Sequence, residues 1–528
     1  MKLGDVASDR QGSHRDREAA RHEGLNRMSD WMRSLVGHYV NSRNAHPEDH
    51  LLVVFDIDGT ILDMRHLVSH VLHEFDRVHG TQLFDGLRAE DVDVHENEIE
   101  TLLDRRRVLA ATRVEVLAWY RSCRWAPESV LMAHRPYRGV LEVIRWFQIQ
   151  PRTSVALNTG RPETLRDATL RCLNELGREY KVAFTDELLV MNPDGWGVDV
   201  AKHKVAGIRH FQQAGYRVVA AVDNEPEVIE ALVAADTSQE ILFLHAQTLY
   251  QSRRRSTPRT VGGCSYDITS LVSERQLPRH VQLVWHGVND DANLRQFLAS
   301  PVAWAEVDVR RHPRGRLVLR HDAFDMAEAA ANGSGTNGAG DGLLSLDEAL
   351  AELRDAGKGV KIDVKEAGIL DEVLAVVARS GVTDEDLWLN GRLDVLGEDG
   401  VRAIRAAHPG ATVQCPIDFV APIAIAMPTE ALGLLRTLTG WGVSRFSVAW
   451  AQGQGRDLLE QLDGWAYEVN LYAVPDLEQF LRAVLMLPRS ITADFNFPQW
   501  HYFGRGAGHG GRYHRYSIDP VPQALDVA

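Results

Sequence analysis

The sequence is 528 residues long, with 45% hydrophobic residues, 25% charged residues and a formal net charge of -15. One hydrophobic core rarely organises a chain of this length, and the composition is that of a globular protein, so at least two domains are expected. The acidic balance disfavours nucleic acid as a partner, because such affinity comes from neutralising phosphates, and it favours small phosphorylated substrates.

The leader, residues 1–48, gives no signal for export or membrane insertion. It is rich in Arg, His and Asp and lacks the apolar core of a secretion signal. No apolar run in the chain approaches the roughly 18 residues of a membrane span. The cysteines lack CxxC spacing, which argues against a disulfide framework or a cysteine metal site. We therefore expect a flexible or helical leader on a cytoplasmic protein.

The first domain is predicted over residues 49–245 as an α/β fold. Leu51–Phe55 is a continuous apolar run typical of a central parallel strand, and strand signals return at Ser154–Leu157 and Arg217–Val222. Residues 64–150 carry helical periodicity throughout. The alternation predicts a doubly wound parallel sheet interrupted by a helical cap.

A second α/β domain is predicted over residues 280–505, after a linker over 246–279 that contains the basic cluster Arg253–Arg255. Its strand candidates alternate with helical segments, and β/α units over about 250 residues match a (β/α)8 TIM barrel. The candidates are Val281–Trp285, Trp304–Val309 with a hairpin return at Leu317–Leu319, Val360–Val364, Leu387–Leu389, Thr412–Cys415, Arg445–Ala449, Tyr467–Leu471 and Ser490–Phe495. The tract Ala329–Gly342 is predicted to be a mobile loop, and residues 506–528 a flexible tail.

Two carboxylates follow the first strand, in the segment Asp56-Ile57-Asp58-Gly59-Thr60. They emerge at the carboxyl end of the strand, where open α/β sheets bind ligands, and their spacing points both to one side. Asp56 is predicted to attack phosphorus and form an aspartyl-phosphate, while Asp58 protonates the leaving oxygen and then activates water.

Three further motifs are expected at the same edge of the sheet. Thr159 and Gly160 follow the second strand, where a hydroxyl and backbone N–H groups can hold phosphate oxygens. Asp223 follows the third, and with Asp56 and Asp58 would complete a Mg²⁺ site. Lys204 is the favoured lysine to screen the phosphate, because Ile208 and Phe211 follow it at helical spacing, and Lys202 is the alternative.

With these motifs in this order, residues 51 to about 245 resemble the haloacid dehalogenase superfamily of phosphatases. Asp56, Asp58, Thr159, a lysine and Asp223 match its four motifs, and residues 64–150 resemble its cap. The resemblance implies a Mg²⁺-dependent phosphatase.

Charged residues at the strand ends of the second domain suggest a second site. His286 ends its first strand, Glu306 and Asp308 share one face of the next, and His321 closes the hairpin return. Lys361, Asp363 and Lys365 share a face of the third strand. Charged groups inside a barrel are expensive to bury unless paired or metal-bound, so these predict a divalent metal flanked by an acid/base pair.

The order His-Gly, Glu-x-Asp, His-Asp, Asp-x-Lys resembles the glycerophosphodiester phosphodiesterase and phospholipase-C-like barrel superfamily. Trp388-Leu389-Asn390 and Phe446–Trp450 are similar to its menorin-like branch. The resemblance implies His286 and His321 as general base and acid and Lys365 as a phosphate ligand. It also implies Mg²⁺ or Ca²⁺ on Glu306, Asp308 and Asp363.

Three functions follow as expectations. The first is a bifunctional hydrolase, in which the barrel cleaves a phosphodiester and the first domain removes phosphate from a monoester. The second keeps the phosphatase and makes the barrel a ligand-binding or regulatory module. The third, least favoured by the acidic charge, is a polynucleotide-end phosphatase guided by the linker arginines.

Overall fold

The computed structural model describes residues 30–195, 197–248, 259–271, 278, 280–300, 302–325, 342–453, 456–474, 477–493, 495–496 and 501–502. The chain divides into two compact units between Val272 and Ser273. The linker arginines Arg253–Arg255, most of the predicted Ala329–Gly342 loop and the predicted tail lie outside the described residues. No helix of the described ranges is long and apolar enough to cross a membrane.

The first unit is built on a parallel sheet with strand order β3-β2-β1-β4-β5-β6. Its strands are β1 (Leu51–Phe55), β2 (Thr153–Pro162), β3 (Leu189–Asn192), β4 (Arg217–Asp223), β5 (Leu242–Ala246) and β6 (Thr260–Gly263). Its helices are α1 (Asp30–Ala45), α2 (Met64–His79), α3 (Ile99–Arg105), α4 (Ala110–Cys123), α5 (Pro127–Ala133), α6 (Val140–Gln148), α7 (Arg166–Gly177), α8 (Val200–Gln213), α9 (Pro226–Ala235) and α10 (Ile268–Leu271).

Strand β1 lies inside this sheet, and every one of its residues is therefore buried. It pairs with β2 on one side and β4 on the other, with Phe55 opposite Leu157 and Val222. The residues that follow these strands therefore meet at one edge of the sheet. This register confirms the predicted doubly wound sheet and places the predicted motifs side by side.

The helical insertion after β1 is shorter than predicted. Helix α2 packs on α4 and α5, as expected of a cap, and α5 also packs on α7. Helix α6, however, packs against β2 with Val143, Ile144 and Phe147 fully buried. Its apolar face covers the sheet, so the end of the predicted 64–150 cap belongs to the core.

Part of the predicted 246–279 linker is also core. Strand β6 extends the sheet by pairing with β5. The ring of Trp31 on α1 packs 4.9 Å from the ring of Tyr266, and Trp31 Nε1 donates to the Ser265 carbonyl at 2.7 Å. A Cβ on Gly263 would lie 2.4 Å from the Trp31 ring, so only glycine lets the helix approach this closely. Helix α1 of the leader and part of the predicted linker thus pack on each other and belong to the first domain.

The second unit is a closed barrel of parallel strands in the order β7-β8-β10-β11-β12-β13-β14-β15, with β9 antiparallel beside β8. Its strands are β7 (Gln282–Trp285), β8 (Trp304–Arg311), β9 (Leu317–Leu319), β10 (Gly359–Val364), β11 (Leu387–Gly391), β12 (Thr412–Pro416), β13 (Arg445–Ala449), β14 (Glu468–Val474), β15 (Ser490–Ala493) and a short hairpin of β16 (Phe495–Asn496) with β17 (His501–Tyr502). Its helices are α11 (Asp291–Ala299), α12 (Leu346–Asp355), α13 (Leu370–Ser380), α14 (Leu393–Ala407), α15 (Ala421–Ala426), α16 (Pro428–Trp441), α17 (Trp450–Gly453), α18 (Arg456–Gly464) and α19 (Leu477–Leu485).

The barrel confirms the predicted (β/α)8 fold, and its strand positions agree with the sequence pattern. Strands β8, β10 and β11 are buried along most of their length, and their helices present amphipathic faces. Helix α12, for example, starts in a capping box in which Ser345 and Glu348 satisfy each other's backbone N–H groups.

The contact between α1 and the end of the sheet can be tested by removing its largest side chain. Trp31→Ala is expected to destabilise the first domain by about 3–5 kcal/mol, because a fully buried indole is lost. Urea unfolding measures the change, with the exposed Arg33→Ala as the matched control. A Trp31→Ala loss no larger than that of the control would contradict this account of α1.

Candidate active sites

The buried amine of Lys204 joins two carboxylates at the carboxyl edge of the first sheet. Its Nζ lies 2.7 Å from Asp56 Oδ1 and 2.6 Å from Asp223 Oδ2, and all three side chains are almost fully buried. Burial raises the pKa of Asp56 to about 7, against the opposing charge of Lys204, and burial also raises the pKa of Asp223. A single cation therefore holds two carboxyl groups that would otherwise resist ionisation.

Lys204 takes this position because of its helix. It lies on the inner face of α8, where Ile208 and Phe211 pack into the core. Asn158 in the middle of β2 donates to the Lys204 carbonyl at 2.8 Å and ties the helix to the sheet. Lys202 is exposed and lies 3.7 Å from Asp199, so of the two predicted lysines it is Lys204 that reaches the carboxylates.

Asp58 is held by a different cation, Arg161. The guanidinium donates from Nε to Asp58 Oδ2 at 2.7 Å and from Nη2 to Asp58 Oδ1 at 2.5 Å. Burial opposes ionisation of Asp58, but the charge and hydrogen bonds of Arg161 outweigh it and lower the pKa of that carboxyl. Gly59, with φ of +80°, turns the chain beneath Asn224, which a Cβ would approach to 2.4 Å.

These groups line a cavity of about 700 Å³ between the sheet edge and the cap. Thr159 and Gly160 line it from the second half of β2, and the exposed Lys202 lines it as well. The cap contributes Trp125, His95 and Glu96, among other residues. The cavity therefore has room for a small phosphorylated molecule above Asp56.

A contact between cap and core borders the cavity at His95. Its Nε2 lies 3.3 Å from Glu225 Oε1, and its Nδ1 lies 3.3 Å from Glu96 Oε2. Glu225 follows Asp223, whose Oδ1 accepts the Glu225 backbone N–H at 2.9 Å. The cap is thus joined to the strand end that carries Asp223.

The first site fits a Mg²⁺ ion in part. The oxygens of Asp56 and Asp223 that converge do so on Lys204 Nζ, so a hard cation would have to bind other oxygens of these two carboxylates. The Asp58 carboxylate is instead bound on both oxygens by Arg161. The structure therefore does not bring the Asp58 carboxylate to the ion that the sequence predicts.

In the barrel, strand register brings the predicted residues together. Lys361 on β10 lies opposite Glu306 on β8, and Asp363 lies opposite Asp308. The carboxylates of Glu306, Asp308 and Asp363 converge, with one oxygen of each within 4.8 Å of the others. Asn390 on β11 lies opposite Asp363 and donates to its Oδ1 at 2.7 Å.

Two lysines neutralise much of this acidic cluster. Lys361 Nζ lies 3.1 Å from Glu306 Oε1 and donates to Thr492 Oγ1 at 3.1 Å. Lys365 Nζ lies 2.8 Å from Asp308 Oδ1 and also contacts Asp363. Although burial opposes its charge, these carboxylates raise the pKa of Lys365.

Both predicted histidines line the barrel cavity of about 300 Å³ beside this cluster. His286 Nε2 lies 3.8 Å from Glu306 Oε2, and His321 Nδ1 lies 2.8 Å from Asp322 Oδ1. Glu306 Oε2 is a buried oxygen with no hydrogen-bond partner. An orphaned carboxylate oxygen beside two other carboxylates fits a divalent cation at this site.

Several residues of both sites were not assigned roles from the sequence. Arg161 is one, although it directly follows Thr159-Gly160 and its spacing from Thr159 places both on one side of an extended segment. Asn289 is another: its Nδ2 donates to Asp308 Oδ2 at 2.6 Å and its Oδ1 accepts the Asp308 N–H at 2.8 Å. His134 follows the cap helix α5 and gave no local signal, because its contact with Arg161 joins residues 27 positions apart.

Comparison with known proteins does not assign a family. No family model matches the sequence, and no curated protein matches it. Among solved structures, the chain is similar to a glycerophosphodiester phosphodiesterase from Parabacteroides distasonis at 13% identity and TM-score 0.32, covering 41% of this chain and 93% of that one. It is similar to another from Agrobacterium tumefaciens at 18% identity and TM-score 0.29, covering 40% and 96%.

A solved structure of a different description also matches the chain. A protein from Burkholderia xenovorans, designated a haloacid dehalogenase-like hydrolase, matches at 14% identity and TM-score 0.28, covering 43% of this chain and 99% of that one. Similarity at this level assigns neither a family nor an activity to the chain.

The burial of His134 can be tested through the pH dependence of the stability of the first domain. Burial, followed by the charge of Arg161, lowers the pKa of His134 to about 4. The unfolded chain takes up that proton near pH 6.5, so the stabilising effect of a neutral His134 is present above about pH 6.5 and is lost as the pH falls toward 4.

At pH 5 the loss relative to pH 7.5 is expected to be about 2 kcal/mol. His134→Gln should remove that part of the pH dependence in urea unfolding of the first domain, whereas the exposed His210→Gln should keep it. An unchanged pH dependence in His134→Gln would show that the histidine is not held neutral.

Proposed function

We propose that the chain is a bifunctional phosphoester hydrolase, with a phosphomonoesterase in the first domain and a phosphodiesterase in the barrel. The observation that carries the proposal is the placement of Lys204 between Asp56 and Asp223 at the carboxyl ends of adjacent strands. A buried lysine clamped by two carboxylates beside a polar cavity suits the binding of a phosphoryl group. As part of this proposal, the substrate is a small phosphorylated molecule. The first domain is related to the haloacid dehalogenase phosphatases and the barrel to the menorin-like branch of the phosphodiesterase superfamily.

In the first domain, Asp56 acts as the nucleophile. With Oδ1 held by Lys204, its second oxygen attacks phosphorus and the bond to the leaving oxygen breaks. The leaving oxygen takes up a proton from the protonated form of Asp58, a minor form because Arg161 lowers the pKa of that carboxyl. Asp58 then takes a proton from the water that cleaves the aspartyl-phosphate. Thr159 and the backbone of Gly160 hold phosphate oxygens during both steps.

A Mg²⁺ ion on Asp56 and Asp223 would supply charge compensation for the phosphoryl group. The chain itself provides the remaining compensation through Lys204, whose burial makes its charge effective at short range. The cap residues around Trp125 exclude water from the cavity while a substrate is bound.

In the barrel, Glu306, Asp308 and Asp363 would hold Mg²⁺ or Ca²⁺, which would polarise the phosphodiester. His286 and His321 are positioned at the same cavity to move protons, and Lys365 to contact a phosphate oxygen. Asn390 and Asn289 hold Asp363 and Asp308 in place.

A second function for the barrel has one observation in its favour. Lys361 and Lys365 already neutralise two of the three negative charges, which suits a module that binds a phosphorylated ligand without cleaving it. In that case the first domain alone would be catalytic.

Separate variants distinguish the two activities. Asp56→Asn should lower phosphomonoesterase activity on 4-nitrophenyl phosphate by at least about a thousandfold and leave diesterase activity on bis(4-nitrophenyl) phosphate unchanged, because the nucleophile is lost. His286→Ala should lower only the diesterase activity, by about 10²–10⁴-fold.

The matched control is the exposed Asp85→Asn in the first domain, which does not line the cavity and should retain both activities. A wild-type protein with monoesterase activity but no metal-dependent diesterase activity would leave the ligand-binding function for the barrel. Monoesterase activity that survives Asp56→Asn would overturn the proposal for the first domain.

The proposed barrel metal can be tested apart from catalysis. In an Asp223→Asn background, which weakens the first site, titration with Mn²⁺ should show one remaining site. Adding Asp363→Asn should weaken that site at least about tenfold, since one of three carboxylate ligands is lost. The exposed Asp399→Asn serves as the control, and unchanged Mn²⁺ affinity in the Asp363 variant would remove the metal from the barrel proposal.

A further inference from the structure

The side chain of Arg161 is completely buried and yet carries a charge. Its exposure is 0%, although arginine is seldom fully buried without a partner. Asp58 supplies that partner in a two-pronged pair at 2.5 and 2.7 Å. Because planar bidentate pairs fix both partners in orientation as well as distance, the arginine determines where the Asp58 oxygens point.

The remaining donors of Arg161 are held from two other directions. Nη1 donates to Thr169 Oγ1 on α7 at 3.1 Å. Nη2 lies 3.3 Å from Nε2 of His134, the residue that follows the last cap helix. The guanidinium therefore has a position fixed jointly by the core and by the base of the cap.

The tautomer of His134 makes this contact directional. Its Nδ1 lies 2.7 Å from the Val130 carbonyl, which can only accept, so Nδ1 carries the proton. Nε2 is then the acceptor for the Arg161 N–H. The Trp125 ring, 5.6 Å from the guanidinium carbon, covers the arginine from the cap side.

The charges at this edge of the sheet are thus separated into two groups. Lys204 serves Asp56 and Asp223, the proposed nucleophile and its neighbour, whereas Arg161 serves Asp58. Asp56, Lys204, Asp58 and Arg161 all line the same cavity. With this separation, Lys204 acts on the carboxylate that attacks phosphorus, and Arg161 acts on the carboxyl group that transfers the proton.

We propose that Arg161 is the positioning residue of Asp58, holding its carboxyl group in the orientation needed to exchange a proton with the leaving oxygen of the substrate. The inference rests on the proposed phosphomonoesterase function. It adds a residue that touches no reacting atom and acts only through Asp58. It also connects proton transfer to the base of the cap through His134 and Trp125.

The test compares two substrates whose leaving groups differ in their need for a proton. An aryl phosphate such as 4-nitrophenyl phosphate has a stable phenolate leaving group and needs little protonation, whereas β-glycerophosphate releases an alkoxide that must be protonated. The value of kcat/KM reports steps only up to departure of this group, so later hydrolysis of the aspartyl-phosphate does not affect it. All assays use the full chain with Mg²⁺ present.

Arg161→Gln should lower kcat/KM for β-glycerophosphate by at least about 10²-fold and for 4-nitrophenyl phosphate by less than about fivefold. Arg161→Lys keeps the charge but loses the two-pronged geometry, so it should show the same selective loss. Arg166→Gln, which removes a surface arginine paired with Glu163 and Asp186, is the control and should leave both values unchanged.

Equal losses on both esters, or full recovery in Arg161→Lys, would overturn the positioning role while leaving the proposed function standing. If Arg161→Gln fails to fold, Thr169→Val decides: it removes one anchor of the arginine and should lower only the β-glycerophosphate value, by about threefold or more. A wild-type protein inactive on both esters would instead refute the proposed function itself.

Discussion

The three-way contact of Lys204 with Asp56 and Asp223 is the interaction on which the first site depends. Two carboxylates at adjacent strand ends repel each other and lose hydration on burial, and either change alone would favour their neutral forms. The ammonium between them offsets both effects. Removing it would leave two uncompensated buried acids at this edge of the sheet.

The barrel also has to compensate buried carboxylates, and it uses several side chains rather than one lysine. Parallel register sets Glu306 beside Lys361 and Asp308 beside Asp363. Lys361 pairs with Glu306, and Lys365 contacts both aspartates. Amides then hold the carboxylates that the lysines do not fully satisfy, as Asn390 does for Asp363. In both domains, the ends of parallel strands gather charged groups that are stable only as a network, and such networks are where a phosphoryl group can be bound.

Much of this arrangement follows from local sequence. Apolar runs bounded by polar residues located the strands of both sheets, and residues directly after those runs had to meet at a common edge. Lys204 could be favoured over Lys202 because Ile208 and Phe211 fix the inner face of its helix, and the structure places Lys204 inside and Lys202 outside.

What the sequence did not predict depends on contacts between distant segments. Strand β6 was assigned to a linker because four residues with two glycines carry almost no strand signal, and it is recruited by pairing with β5 and by packing under Trp31. Asp58 was expected at the metal because its spacing from Asp56 suggested a shared direction. The bidentate pair with Arg161, over 100 positions away, fixes the orientation of the Asp58 carboxylate instead.

The most direct test of the central claim is a crystal structure of the protein with Mg²⁺ and beryllofluoride, which mimics a phosphoryl group on a carboxylate. The account predicts beryllium bonded to an Asp56 oxygen, with Lys204 beside the fluorides and Asp58 still paired with Arg161. Beryllofluoride bonded to Asp58, or no adduct at Asp56 under saturating conditions, would contradict it.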